Sequence, residues 1–230
     1  MTNRTLLLCV CLLVVLAGLA IWMRALFPER IDLPFDTGST IMAAEFAQTP
    51  EEFSAVIGSD RRYAGALKTQ QYLDFPFIAG YVALFVLLGL TLKTYDVPGA
   101  RWLAWAAIVA AVVAGICDIL ENITILQALS SSAVMLQTRR YSIPKWGFAF
   151  LAVFIEAGVF FFWPRLGLWW RLGAAATGFL WLVAGSSGVL FAALASVTDI
   201  PWSASWMTWG LTAALLFMGA ILVRDRLRKA

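Results

Sequence analysis

Hydrophobic positions fall into six long runs separated by polar stretches: Leu6–Leu26, Phe75–Leu92, Trp102–Leu126, Trp146–Trp163, Leu172–Ala195 and Ser203–Val223. Each is close to the roughly 20 apolar residues that a helix needs to cross a bilayer. The pattern predicts an all-α, polytopic membrane helix bundle of about six transmembrane helices, with residues 1–230 as a single membrane domain. No repeat of solenoid length and no low-complexity tract interrupts it. Four runs open alike, on Asp74-Phe75-Pro76, Asp96-Val97-Pro98, Ser142-Ile143-Pro144 and Asp199-Ile200-Pro201. A capping side chain satisfies free backbone N–H groups, and proline in the first turn forfeits no helical hydrogen bond. These tripeptides therefore read as helix starts.

The stretch from Pro28 to Leu73 is the one sizeable polar region. Thr49-Pro50-Glu51-Glu52 spells a capping box with proline at the first helical position, and Gly58 can end the short helix. Phe53, Val56 and Ile57 give that helix an apolar side. A second helix is expected to start after Asp60 and run through Tyr63 and Leu67 toward Tyr72, lying on the membrane surface before the chain enters at Asp74. Ala17-Gly18-Leu19-Ala20 would suit a signal-peptide cleavage site, but the run is long for one and Arg24 follows closely, which favours a retained first helix.

Composition sharpens this picture. Of 230 residues 61% are hydrophobic and 13% charged, and mean hydropathy is +0.81; a soluble domain carries about 25% charged residues. With the N-terminus in the cytoplasm, the inner segments hold nine bases and two acids, against eight of each outside, and the tail Arg224-Asp225-Arg226-Leu227-Arg228-Lys229 is the clearest inside signal. Both termini are then cytoplasmic and loop 28–73 is extracytoplasmic. Arg139, Arg140 and Lys145 fall outside, against that rule. Trp146, Trp202, Trp206 and Trp209 near one interface and Trp102, Trp105, Trp163, Trp169 and Trp170 near the other read as anchors. The short basic tail beside a membrane suggests anionic lipid rather than nucleic acid.

The chain has no histidine, which removes Ser-His-Asp and Cys-His catalysis, paired-histidine haem ligation and most zinc sites. Cys9, Cys11 and Cys117 sit in apolar runs without a Cys-x-x-Cys spacing and read as buried hydrophobes. No cofactor or metal is expected, and no catalytic residue is assigned.

The most informative stretch is Gly115-Ile116-Cys117-Asp118-Ile119-Leu120-Glu121-Asn122, which puts two acids and an amide inside an apolar run. A charge at the centre of a span costs about 2.5–3.5 kcal/mol on insertion scales, so such groups face other helices or a wet cavity. At helical spacing Ala107, Ala111, Gly115, Asp118 and Asn122 share one line, with Ala110, Ala114, Cys117 and Glu121 beside it. Ile108, Val109, Val112, Val113, Ile116, Ile119, Leu120 and Ile123 lie on the other side. The small polar face should point into the bundle and the branched face to lipid. In the fourth span Lys145, Ala149, Ala152 and Glu156 share a face; in the fifth, Ala184, Gly188 and Ala192 form a small-residue line with Ser186 and Ser187 nearby. Tyr81, two turns beyond Asp74, reaches the level of Asp118.

The candidate ligand- or ion-binding residues are therefore Asp118, Glu121, Asn122, Glu156, Tyr81 and Asp74. Two roles remain open for them. Neutral or paired acids can lock helices together, with Arg139, Arg140 or Lys145 folding back onto them. Alternatively they line a cavity open to the outside and bind a cation, a proton or a lipid headgroup. The favoured function is a non-enzymatic binding or assembly protein in contact with the bilayer, a small ligand or a membrane protein partner. The alternatives are an intramembrane acid–base enzyme acting on a lipid or lipophilic substrate, and a small scaffold subunit of a larger complex.

Leu33–Phe53, Tyr72-Leu73-Asp74 with Tyr81, and Asp118-x-x-Glu121-Asn122 together resemble a group of uncharacterised bacterial multi-pass membrane proteins that carry D-x-x-E-N late in the third span. The resemblance implies a bacterial inner membrane and no particular activity. Phe35-Asp36-Thr37-Gly38-Ser39 resembles the signature around the catalytic aspartate of pepsin-like proteases, but the chain has no second Asp-Thr/Ser-Gly, and the surrounding loop is too short for a protease lobe. It reads as a turn. Thr94-Tyr95-Asp96 and Gly115-Ile116-Cys117-Asp118 are similar to presenilin-like motifs, but the second lacks the glycine before the aspartate. Only Asp74 with Asp118 could form an intramembrane aspartate pair.

Overall fold

The computed structural model describes residues 2–26, 40–58, 63–130, 138–163, 167–194 and 200–227. These form α1 (Asn3–Leu26), α2 (Thr40–Phe46), α3 (Pro50–Ile57), α4 (Ala64–Leu92), α5 (Ala100–Ala128), α6 (Thr138–Phe161), α7 (Leu168–Ala193) and α8 (Ile200–Leu227). No strand occurs among the described residues. Six helices, α1 and α4 to α8, are long and apolar enough to span a bilayer, the build of a multi-pass membrane protein. Successive spans pack side by side, α8 returns to α1, and α4 also touches α6.

The faces follow the sequence pattern. On α5, Ala107, Ala110, Ala111, Ala114, Gly115, Asp118, Glu121 and Asn122 are buried. Val109 at 58% and Ile116 at 53% are exposed, on the side assigned to lipid. Glycines on α7 let α6 come close: a Cβ on Gly188 would collide with the Phe150 ring, and one on Gly185, beside that line, would sit 2.5 Å from the Phe154 backbone. Aromatics fill the core away from the short helices, with Trp181 set 5.2 Å from Phe160 and 6.0 Å from Phe85, centroid to centroid. Trp102 and Trp169, each 81% exposed, suit interfacial anchoring.

Two groups of expected helix starts differ from the structure. Asp74-Phe75-Pro76 and Ser142-Ile143-Pro144 lie inside α4 and α6, with Pro76 and Pro144 in the helices. A proline within a helix removes one N–H and frees the carbonyl four residues back; Pro144 stands in the second turn of α6 and Pro76 near the middle of α4. Asp96 does not cap α5, whose N-cap position is Gly99 at φ +82. Pro201 does stand in the first turn of α8, whereas Asp199 and the Asp36-Thr37-Gly38-Ser39 motif lie outside the described residues.

The polar region is a packed cap. Thr49 Oγ1 accepts from the Glu52 N–H at 3.1 Å, and Glu52 Oε2 accepts from the Thr49 N–H at 3.3 Å, completing the capping box that starts α3. Gly58, at φ +87, ends that helix. Phe53, Val56 and Ile57 are buried against Ala43, Ala44, Ala47, Tyr63, Leu67, Ile125 and Ala128. Contrary to the expected surface-lying segment, residues after Tyr63 run straight into α4, where Leu67, Gln70 and Gln71 are buried.

Candidate functional site

A cluster of charge sits beneath the cap, where α2, α4, α5 and α6 meet. Its centre is the Lys145 ammonium, on the inward face of α6. Lys145 Nζ donates to Glu121 Oε1 at 2.6 Å, and it pairs with Glu45 Oε1 at 3.0 Å and Asp118 Oδ1 at 3.4 Å. The side chains of all four are less than a tenth exposed. Buried ions persist only when paired and hydrogen-bonded, since each loses several kcal/mol of hydration.

Around this centre the neighbours hold the acids in place. Tyr81 Oη donates to Asp118 Oδ2 at 3.0 Å, and Asn122 Nδ2 donates to Asp74 Oδ2 at 2.7 Å. The Trp146 indole N–H donates to Glu45 Oε2 at 3.0 Å, and Ser142 Oγ donates to the Glu45 carbonyl at 3.0 Å. Those bonds strap α2 onto α6. Trp146, expected as an interfacial anchor, therefore belongs to the site: its ring stacks on Phe150 at 5.5 Å and stands 5.0 Å from the Lys145 ammonium.

A cavity of about 560 Å³ opens onto this cluster, within the range of about 300–1,000 Å³ typical of small-molecule sites. Its polar wall is formed by Glu45, Gln70, Gln71, Asp74, Asp118 and Lys145; its apolar wall includes Leu13, Phe77, Phe85, Leu211 and Leu215. Several buried atoms in and beside that wall lack a hydrogen-bond partner: Gln70 Oε1, Gln71 Oε1, Asp118 Oδ1 and Glu121 Oε2. All four are acceptors. Asp118 Oδ1 is near enough to Lys145 for an ion pair but is not hydrogen-bonded to it. Counting formal charges, one ammonium faces the carboxyls of Glu45, Asp74, Asp118 and Glu121. Formal negative charge thus outnumbers positive, and the partnerless atoms here are acceptors.

Of the residues singled out in the sequence, Asp74, Tyr81, Asp118, Glu121 and Asn122 are brought together. Glu156 is not. It lies eleven positions beyond Lys145 on α6, about 16 Å along the axis at 1.5 Å per residue; it is fully buried, and neither of its oxygens has a partner. α6 starts at Thr138 rather than Trp146, which moves Glu156 toward the far end of that helix. Glu45, Gln70 and Gln71 join the site without having stood out in the sequence. The one signal for Glu45 is a lone acid among Ile41, Met42, Ala43, Ala44 and Phe46, an apolar segment within a region that otherwise reads as a loop.

Fold and site together define a multi-pass helical membrane protein with a capped, carboxylate-lined cavity. Comparison with protein-family models, with curated proteins and with solved structures finds no match for this chain.

Proposed function

We propose that the chain is a non-enzymatic binding protein of the bacterial inner membrane, with cytoplasmic termini and the α2–α3 cap outside. The cavity then lies in the outer half of the bilayer and takes a small ligand whose head carries positive charge and N–H donors. One observation carries this reading: the cavity reaches the Asp74 and Asp118 carboxyls beside Gln70 and Gln71, whose buried side-chain oxygens have no hydrogen-bond partner. Helix locking alone calls for a dry, fully satisfied cluster, since a half-satisfied buried network destabilises. A ligand ammonium would supply the missing donors and reduce the surplus of negative charge. The orientation is supported by Arg224 and Arg226 in the last turn of α8.

The test is a thermal-unfolding titration of the purified chain in phosphatidylcholine nanodiscs with ethylammonium chloride, against sodium chloride at equal ionic strength. A binding site gives a saturable rise in Tm with ethylammonium, because a ligand bound only to the folded state stabilises it. Asp118→Asn should abolish that rise. Identical curves for the two salts overturn the proposal.

A further inference from the structure

The cavity is not equally closed on all sides. Toward the cap it is covered by α2, whose Ile41, Met42 and Glu45 line it. On its flank, between α1 and α8, the lining residues are Ala17, Ala20, Ser205, Thr208 and Thr212, and all five are exposed. The three hydroxyl residues follow one stripe of α8 at helical spacing. Each hydroxyl donates to the carbonyl four residues back, at 2.9–3.0 Å, which leaves acceptor lone pairs toward the gap. On the α1 side the two alanines leave room. Among the described residues, the chamber therefore opens sideways between α1 and α8, two of the helices long and apolar enough to span a bilayer.

We infer that the ligand is a membrane amphiphile with a primary-ammonium head and no phosphate, which enters sideways between α1 and α8. This deepens the binding role proposed above and rests on it. The hydrocarbon chain lies along Leu13, Phe77, Phe85 and Leu211, while the ammonium lies against the Asp74 and Asp118 carboxyls, next to Gln70 and Gln71 with their partnerless oxygens. A primary ammonium has three donors and no acceptor, which complements a site whose unpartnered groups are all acceptors. A polyol head would bring acceptors of its own, and the nearby donors on Lys145, Tyr81 and Trp146 are already engaged. A phosphate would meet uncompensated carboxylates. An alkyl chain explains why most of the wall is apolar, a feature a soluble cation would not use.

The experiment is photolabelling of the full chain in phosphatidylcholine nanodiscs with hexadecylamine carrying a mid-chain diazirine, with labelled peptides mapped by mass spectrometry. Labels should concentrate on α1 around Leu13–Ala20 and on α8 around Ala204–Leu215, and unlabelled hexadecylamine should compete them away. Hexadecyltrimethylammonium has the same charge and no N–H, and it should compete about tenfold less well for want of charged hydrogen bonds. Gln71→Leu removes an unpartnered acceptor without touching the ion cluster, so it should keep the parent Tm and reduce labelling about fivefold. Thr208→Trp, which fills the gap, should reduce it likewise. Labels spread over lipid-facing positions such as Val109 and Ile116, or equal competition by the trimethyl compound, overturn the inference. If ethylammonium still gives its Asp118-dependent rise in Tm, the binding role survives and only the lateral amphiphile is refuted; if neither compound binds, both fall.

Discussion

Replacing Lys145 by methionine removes the one ammonium from the buried cluster while keeping an unbranched side chain of similar length. Its nearest partner, Glu121, is 2.6 Å away, and at an effective dielectric constant of about 20 such a pair attracts by roughly 6 kcal/mol before desolvation. Loss of hydration offsets part of this. Breaking a buried pair by removing one partner typically costs about 3–5 kcal/mol, because the other charge is left uncompensated. Here Glu121, Glu45 and Asp118 all lose the same partner, so the upper part of that range is expected. In a chain of this size each kcal/mol corresponds to about 2–4 °C, so a loss of about 4–5 kcal/mol puts the fall in Tm between about 8 and 20 °C. Tryptophan fluorescence during thermal unfolding in nanodiscs reads it. Lys145→Met combined with Glu121→Gln should recover at least half of the loss, since the amide no longer demands a counter-ion. A single variant within about 2 °C of the parent would refute the claim that Lys145 organises the cluster.

Two further outcomes follow from packing and burial elsewhere. Gly188→Ala should lower stability by about 1–3 kcal/mol by overpacking, because its Cβ would collide with Phe150, whereas Gly219→Ala meets nothing within 4 Å and should leave Tm unchanged or raised; thermal unfolding of the pair checks both. Tyr95, between α4 and α5, donates to the Val159 carbonyl at 3.0 Å, and burial pushes its phenol well above the ordinary tyrosine range. The folded state then holds this proton more tightly than the unfolded state, so its contribution is complete below about pH 10 and is lost as pH rises further. Tyr95→Phe should flatten that alkaline decline, as followed by unfolding midpoints between about pH 9 and 11.

The spans and the buried face of α5 were legible because hydropathy and the 3.6-residue period report directly on environment. Helical spacing alone puts the small and polar residues from Ala107 to Asn122 on one face, and their burial agrees. Proline was less informative: Pro76, Pro144 and Pro201 share the same preceding pattern, yet only Pro201 stands in a first turn, because a local tripeptide does not record whether earlier residues find packing partners. Gln70 and Gln71 gave no signal because the segment toward Tyr72 was expected on the membrane surface, whereas the structure buries both within α4. Glu45 was illegible for a different reason. Its partner Lys145 is one hundred positions away, and no local periodicity links residues across such a distance. Glu156 marks the opposite failure, where a shared helix face grouped it with Lys145 although the helix carries it to another depth.

The cluster also bears on the order in which the chain is made. α6 is the least hydrophobic of the six candidate spans, with a mean hydropathy of 1.5 in its best window against 2.3 for α5, and it carries the buried lysine. α5 precedes it from the ribosome with Asp118 and Glu121 already on its inward face, and α2, bearing Glu45, precedes both. The helix that is hardest to leave in lipid thus arrives last among its partners, with its counter-charges waiting. The ion cluster that shapes the cavity in the finished protein is, during synthesis, a reason for α6 to enter the membrane at all.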